Sequence, residues 1–248
     1  RLCRDWSSDV CSSDLCRSVV LALAGTFSNL VMIGITLVKL AYGQDGLVTL
    51  LTLISVHSLV LLTAATILLE LAQAREEGAQ GATPLTPRRI VLIAASAIKS
   101  ALIHPVPLPI ICGLLFAQTA WVLPQVVQLP LQLLGSAFGP LALVLVGVSL
   151  AGLSLRGHWQ PALGLALSKN LLLPLMVGAS AWAFGIEGLA LVVLVVAAGL
   201  PVGANVYLFA QRYRVVQDLT TATMGVSTLL ALLTLSGWML LLSWLVDL

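Results

Sequence analysis

Ala198-Gly199-Leu200-Pro201-Val202-Gly203-Ala204-Asn205-Val206-Tyr207 lies in the middle of an apolar run over residues 188–213. The run has the length and hydrophobicity of a membrane-spanning helix, yet its centre cannot stay helical. Pro201 has no N–H, and its ring clashes with the preceding turn. Gly199 and Gly203 make the interruption easy and let another backbone come close. In lipid every backbone polar group needs a partner, so irregular backbone at membrane depth is tolerated only inside protein or along a cavity. A break here therefore marks a place where something binds or something moves.

The rest of the chain supports a membrane setting. Of 248 residues, 59% are hydrophobic and 9% charged, against about 25% charged in an average soluble domain. Mean hydropathy is +1.06. We read seven apolar segments: residues 18–42, 47–71, 105–121, 124–153, 159–184, 188–213 and 218–246. Continuous runs of this kind predict helices, since barrel strands alternate over about 10 residues. The expected fold class is an all-α, polytopic membrane protein. Residues 72–89, with Gly78, Gly81, Pro84 and Pro87, read as the longest loop. Residues 90–103 carry Lys99 and end at His104-Pro105. They form either an interfacial helix or the start of the next span.

If each segment crosses once, the 72–89 side holds Arg17, Arg75, Arg88, Arg89, Arg156, Arg212 and Arg214. The opposite loops hold no Lys or Arg, only Asp45, Glu187 and Asp247. The positive-inside rule makes the arginine side cytoplasmic. Lys39, near the outer end of the first span, would snorkel to the interface. Net charge is +2, which gives no footprint for nucleic acid. Cys3, Cys11, Cys16 and Cys112 show no CxxC spacing, so neither a zinc site nor a disulfide framework is indicated. No cofactor is expected, and no protease, esterase, phosphate-loop or paired-carboxylate constellation is present.

Residues 1–15 are polar and lack the apolar core of a signal peptide. Residues 5–15 resemble the conceptual translation of a sequencing adapter, so the head is expected to be foreign; an ordinary disordered amino-terminal tail is the alternative. The remaining organisation is then residues 16–71 with two spans, a cytoplasmic loop at 72–89, and residues 90–248 with five.

An internal echo links the two ends of the chain. Ala24-Gly25-Thr26-Phe27-Ser28-Asn29-Leu30-Val31-Met32-Ile33-Gly34 places small and polar residues and an Asn inside an apolar helix, as residues 198–207 do. Each unit runs into a short hydrophilic turn, 43–46 or 215–218, and then a span rich in Leu and Thr. The two turns lie on opposite sides, and inverted repeats of this kind build secondary transporters. Chance likeness between apolar spans is the alternative.

Candidate binding residues follow from the breaks. Ser28, Asn29 and Gly34 suggest a weaker break in the first span, and Pro201 and Gly203 a stronger one in the sixth. Half-helix amino termini favour anions. Asn29 and Asn205 each present an amide that can donate to a carboxylate or accept from an acid. Helix–helix packing is the other use of such residues. Lys169 lies well inside the fifth span, where a charge costs about 2.5–3.5 kcal/mol on insertion scales and faces a cavity or a partner. It could neutralise an anion or pair with a proton carrier, or else snorkel. His57 lies mid-span and more often than not such a residue is simply packed. Gln217 and Asp218 read as a helix cap.

Two stretches resemble a known family. Residues 25–37, running on to Tyr42-Gly43, are similar to the fourth helix of the auxin efflux carrier family. Leu200-Pro201-Val202-Gly203-Ala204-Asn205-Val206-Tyr207-Leu208-Phe209-Ala210-Gln211-Arg212-Tyr213 is similar to its ninth, in the bacterial malate and malonate permease-like branch. The likeness covers residues 16–248. It implies ten helices in two inverted five-helix repeats, with the fourth and ninth broken and crossing near the substrate. Seven of the ten would be present, and the chain would be truncated at its amino end. The family usually has Pro where this chain has Thr36, which weakens the first break, although a Thr hydroxyl also bends helices.

The reading is a secondary active transporter of a small organic anion, by alternating access, in a bacterial inner membrane. Its binding residues would be Ser28, Asn29, Gly34, Thr36, Lys169, Pro201, Gly203 and Asn205. The driving force would be the membrane potential or a proton gradient, with protons a candidate coupling ion, the lipid bilayer its setting, and a homodimer a candidate assembly. Alternatives are a non-transporting membrane scaffold or assembly subunit, and a sodium-coupled transporter of similar inverted-repeat design. The latter would need a cage of oxygens, for which the spans offer no Asp or Glu away from their ends, Glu70 and Asp218 being terminal. The chain alone is expected to be inactive, and robust uptake by it would refute that.

Overall fold

The computed structural model describes residues 2–79, 86–102, 107–119, 121–151 and 157–245. They are all-α. The helices are α1 (Leu2–Thr26), α2 (Ile35–Ala79), α3 (Pro87–Leu102), α4 (Pro107–Ala117), α5 (Gln125–Ala151), α6 (Trp159–Leu167), α7 (Leu173–Ala183), α8 (Gly188–Gly199), α9 (Ala204–Tyr213) and α10 (Gln217–Leu245). Two π-helical turns, Leu30–Gly34 and Ser168–Leu172, lead into α2 and join α6 to α7. Three stretches are long and apolar enough to cross a membrane: Leu30–Arg75, Trp159–Ala183 and Gln217–Leu245.

Helix α2 is two limbs. Gly43 sits at φ 67°, ψ −153°, a conformation that costs glycine little and other residues much. The chain folds back there: a Cβ built on Gly34 would lie 3.6 Å from Leu50 Cδ2, although a straight helix would hold these residues about 24 Å apart. The expected turn at 43–46 is thus a hinge at one glycine. Helix α10 packs along α6 and α8, α1 along α2, and α7 along α8. Lipid tails are as apolar as leucine, so packing and hydrogen bonds hold such a bundle rather than water exclusion. That accounts for the small residues at its contacts: Ala24, Ala162, Ala166, Ala197, Ala222 and Ala231 are all buried.

The outer surface suits lipid. Val126, Leu131, Leu134, Leu141 and Val148 of α5 are exposed, as are Leu232, Leu233 and Leu240 of α10. Trp121, Trp182, Phe184 and Trp244 stand exposed near helix ends, where aromatic belts meet the headgroups.

Some boundaries differ from expectation. Helix α1 runs unbroken from Leu2, so residues 2–15 are helical and continuous with the first span. The 72–89 loop is shorter than its composition suggests: α2 continues to Ala79 through good helix formers, and Pro87 opens α3. Residues 80–85 lie outside the described residues, as do 103–106 with His104-Pro105. The third expected span, 105–121, holds an 11-residue helix, Pro107–Ala117. That is about 16 Å long, short of the roughly 30 Å membrane core. Asp218 is not a cap; it stands in the first turn of α10, where it complements the helix dipole.

Candidate functional site

Both expected breaks are present, and they meet. The first falls at residues 27–29, between α1 and the π-helical turn; the second at residues 200–203, between α8 and α9. Ser28 and Val202 form an isolated antiparallel bridge. The Asn29 N–H donates to the Pro201 carbonyl at 2.8 Å, and the Gly203 N–H donates to the Phe27 carbonyl at 2.9 Å. Each break thus satisfies the backbone groups the other exposes, which is what lipid demands of non-helical chain. The glycines permit the approach. A Cβ on Gly203 would stand 2.9 Å from the Ser28 carbonyl oxygen and 2.8 Å from Phe27 Cδ1, and one on Gly34 would stand 2.8 Å from Leu200 Cδ1.

Polar side chains brace the crossover. Asn29 Oδ1 accepts from the Met32 N–H at 3.3 Å, capping its own half-helix. The amino end of α9 begins at Gly203 with no side-chain cap. Lys169 and Asn170, both fully buried, lie on the Ser168–Leu172 turn. Lys169 Nζ donates to the carbonyls of Ala198 at 2.6 Å and Leu200 at 2.7 Å. Asn170 Nδ2 donates to the Ser227 carbonyl, and the Ser227 hydroxyl donates to Asn170 Oδ1, each at 2.8 Å. Ser227 Oγ in turn accepts from the Val202 N–H at 3.1 Å. Trp238 Nε1 donates to the Asn170 carbonyl at 3.0 Å. A π-helical turn shifts the register of a helix by one residue, and here it carries two adjacent polar side chains that both serve the second break.

Two cavities flank the crossover. One of about 480 Å³ lies on the α9 side, lined by Leu62, Thr66 and Glu70 of α2, Arg89, Ile93 and Ser96 of α3, and Asn205, Phe209 and Arg212 of α9. Arg212 Nη2 pairs with Glu70 Oε1 at 3.1 Å, and the Tyr213 hydroxyl donates to the same oxygen at 3.0 Å. The other cavity, about 380 Å³, lies on the α8 side and is mostly apolar, with Thr26, Ser28 and His57 in its lining. His57 packs against Phe27 with ring centroids 5.1 Å apart.

The structure therefore gathers Ser28, Asn29, Gly34, Pro201 and Gly203 at one crossing, with Asn205 opening onto the larger cavity. Lys169 stands behind the crossing, on the helix end rather than in a cavity lining. Thr36 lies apart: it is helical and borders a groove with Lys39, Ser136 and Gly139 of α5. Sequence reasoning passed over Asn170, Ser227, Glu70 and Phe27. A polar Ser168-Lys169-Asn170 triplet in an apolar span was the available signal for the first; Ser227 looks like any serine in a Leu- and Thr-rich helix.

A comparison with curated proteins finds no match. The family model described as "Membrane transport protein" matches residues 7–239. With two broken helices crossing at the position the resembling stretches imply, the chain belongs to this membrane transport family, the auxin efflux carrier family.

Proposed function

We propose that this membrane transporter is a secondary carrier of a small organic anion, with the crossover as its binding site and alternating access as its mechanism. The observation that carries the reading is the crossing of two interrupted helices beside a cavity of about 480 Å³ that Asn205, Arg89 and Arg212 help to line. The uncapped amino end of α9 supplies partial positive charge there. The Asn205 amide supplies a donor for a carboxylate. Arg89 and Arg212 bring guanidinium groups to the same lining, Arg212 in an ion pair with Glu70, and guanidinium is the side chain best shaped to meet a carboxylate. The likeness of the two broken units supports an inverted repeat in a multi-pass inner-membrane protein. The membrane potential or a proton gradient would drive it, and a phosphate-binding loop for ATP is not seen in the sequence.

The test is flux in liposomes by the full-length protein, with radiolabelled malate, malonate and phenylacetate under imposed proton and potential gradients. Asn205→Ala and Pro201→Ala accompany it. Saturable flux that both substitutions abolish, in protein that stays folded, is the expected result. Transport of none of the acids under any gradient would sink the organic-anion reading. Normal flux in both variants would move the site away from the crossover.

A further inference from the structure

We propose that Lys169 sets the charge of the crossover from behind, making the site anion-selective without touching the anion. The proposal rests on the organic-anion reading above and names the residue that fixes its charge preference.

The second break places two helix ends face to face. Helix α8 ends at Gly199 and α9 begins at Ala204. A helix carries about half a negative charge at its carboxyl end and half a positive charge at its amino end. Left alone, the two ends would largely cancel across residues 200–203, and the crossing would have little preference between an anion and a neutral molecule. Lys169 changes that sum. Its ammonium bonds the Ala198 and Leu200 carbonyls, at the negative end, at 2.6 and 2.7 Å. These distances are in or below the range of charge-assisted N–H···O bonds. Among the described residues no carboxylate pairs with it. The negative end is thus neutralised with charge to spare, and the amino end of α9 is left unopposed beside Asn205.

The chemistry chosen for this brace supports a role for its charge. Two orphan carbonyls need only two N–H donors, and a neutral glutamine has two. A lysine at zero exposure is a far costlier way to supply them. In its ammonium form it acts through the field: at an effective dielectric of about 20, a unit charge about 10 Å from an anion changes the anion's affinity about tenfold. Lys169 is therefore a positioning residue whose ammonium acts through the field and the helix end.

The experiment compares wild type with Lys169→Arg, Lys169→Gln and Lys169→Met in the full-length protein in liposomes. The probes are paired acids and amides: malonate with malonamide, malate with malamide, phenylacetate with phenylacetamide. Folding is followed by size-exclusion profile and thermal midpoint. For an acid that the wild type carries, the acid-to-amide flux ratio should fall about tenfold or more in Gln and Met, and be kept in Arg. A brace without an electrostatic role would lower both fluxes and leave the ratio alone, so an unchanged ratio in folded Lys169→Gln overturns the proposal. Loss of fold in both neutral variants also overturns it, assigning Lys169 to stability alone. A wild type that carries none of the acids fails earlier, at the organic-anion reading, and takes this proposal with it.

Discussion

The two breaks solve one problem by different means. At residues 27–29 the chain is repaired locally: Asn29 caps the half-helix that follows it, and a π-helical turn absorbs the change of register. At residues 200–203 the repair comes from far along the chain. Lys169 reaches 29 and 31 residues on to the carbonyl end, and Ser227, held by Asn170, takes the Val202 N–H. The first break is tied to the rest of the bundle by the main-chain bridge, while its side-chain brace stays within its own turn. The second, repaired by side chains of neighbouring helices, is tied to their positions as well. The comparison makes the second break the more constrained of the two, held by side chains of other helices as well as by the bridge.

The sharpest way to break that contrast is to add a methyl group at each crossing glycine. Gly203→Ala drives its Cβ against the Ser28 carbonyl, which the bridge holds in place. We expect a loss of about 3 kcal/mol and no measurable flux. Gly34→Ala meets the end of the buried Leu200 side chain, with Leu50 and the Asn29 carbonyl at ordinary contact distance, rather than a fixed backbone atom; it also gains helix propensity, so it should cost about 1 kcal/mol. Thermal midpoints in detergent decide between them, and equal losses would erase the distinction.

A smaller effect separates the braces. Asn170→Ala strips partners from buried Ser227 and should cost about 2 kcal/mol, with faster amide exchange at Val202. Asn29→Ala removes one cap and should cost about 1 kcal/mol. The Asn170→Ala, Ser227→Ala double mutant sharpens the point: the two losses should fail to add by about 1 kcal/mol, whereas additive losses would mean that the residues act separately. The least effect belongs to the rim. Glu70→Gln breaks an ion pair whose arginine is 66% exposed, so stability should change by less than about 1 kcal/mol. Anion flux should hold or rise, because the larger cavity then loses its negative charge. A strong drop in flux would give Glu70 a direct part in transport.

Much of this was legible beforehand, and the rest was hidden for physical reasons. Pro201 between Gly199 and Gly203 declares a break, because proline cannot continue a helix whatever surrounds it. The apolar runs declare helices, because lipid allows little else. Asn29 was visible as a polar residue at a break, but an amide beside a helix start can bind a ligand or cap its own turn. Sequence does not separate those uses; the Met32 contact shows the second. Lys169 was conspicuous as a buried charge, yet its partners are backbone carbonyls, which every residue has and no pattern marks. The Asn170–Ser227 pair spans 57 positions, and nothing local links them. Thr36 drew notice because the resembling family has proline there; in this chain the interruption lies upstream at residues 27–29, and Thr36 continues the helix against α5.

The Ser28–Val202 bridge has a consequence for how such a site can diversify. Its bonds are made wholly by main chain, and Pro201 fits because only its carbonyl is used. The side chain at position 28, which lines the smaller cavity, can therefore be exchanged in evolution without unfastening the joint, so long as Gly203 stays small. If the crossover is the binding site proposed above, the joint is inherited while the lining is rewritten, and one lineage can reach new cargoes by substitutions that leave the joint intact.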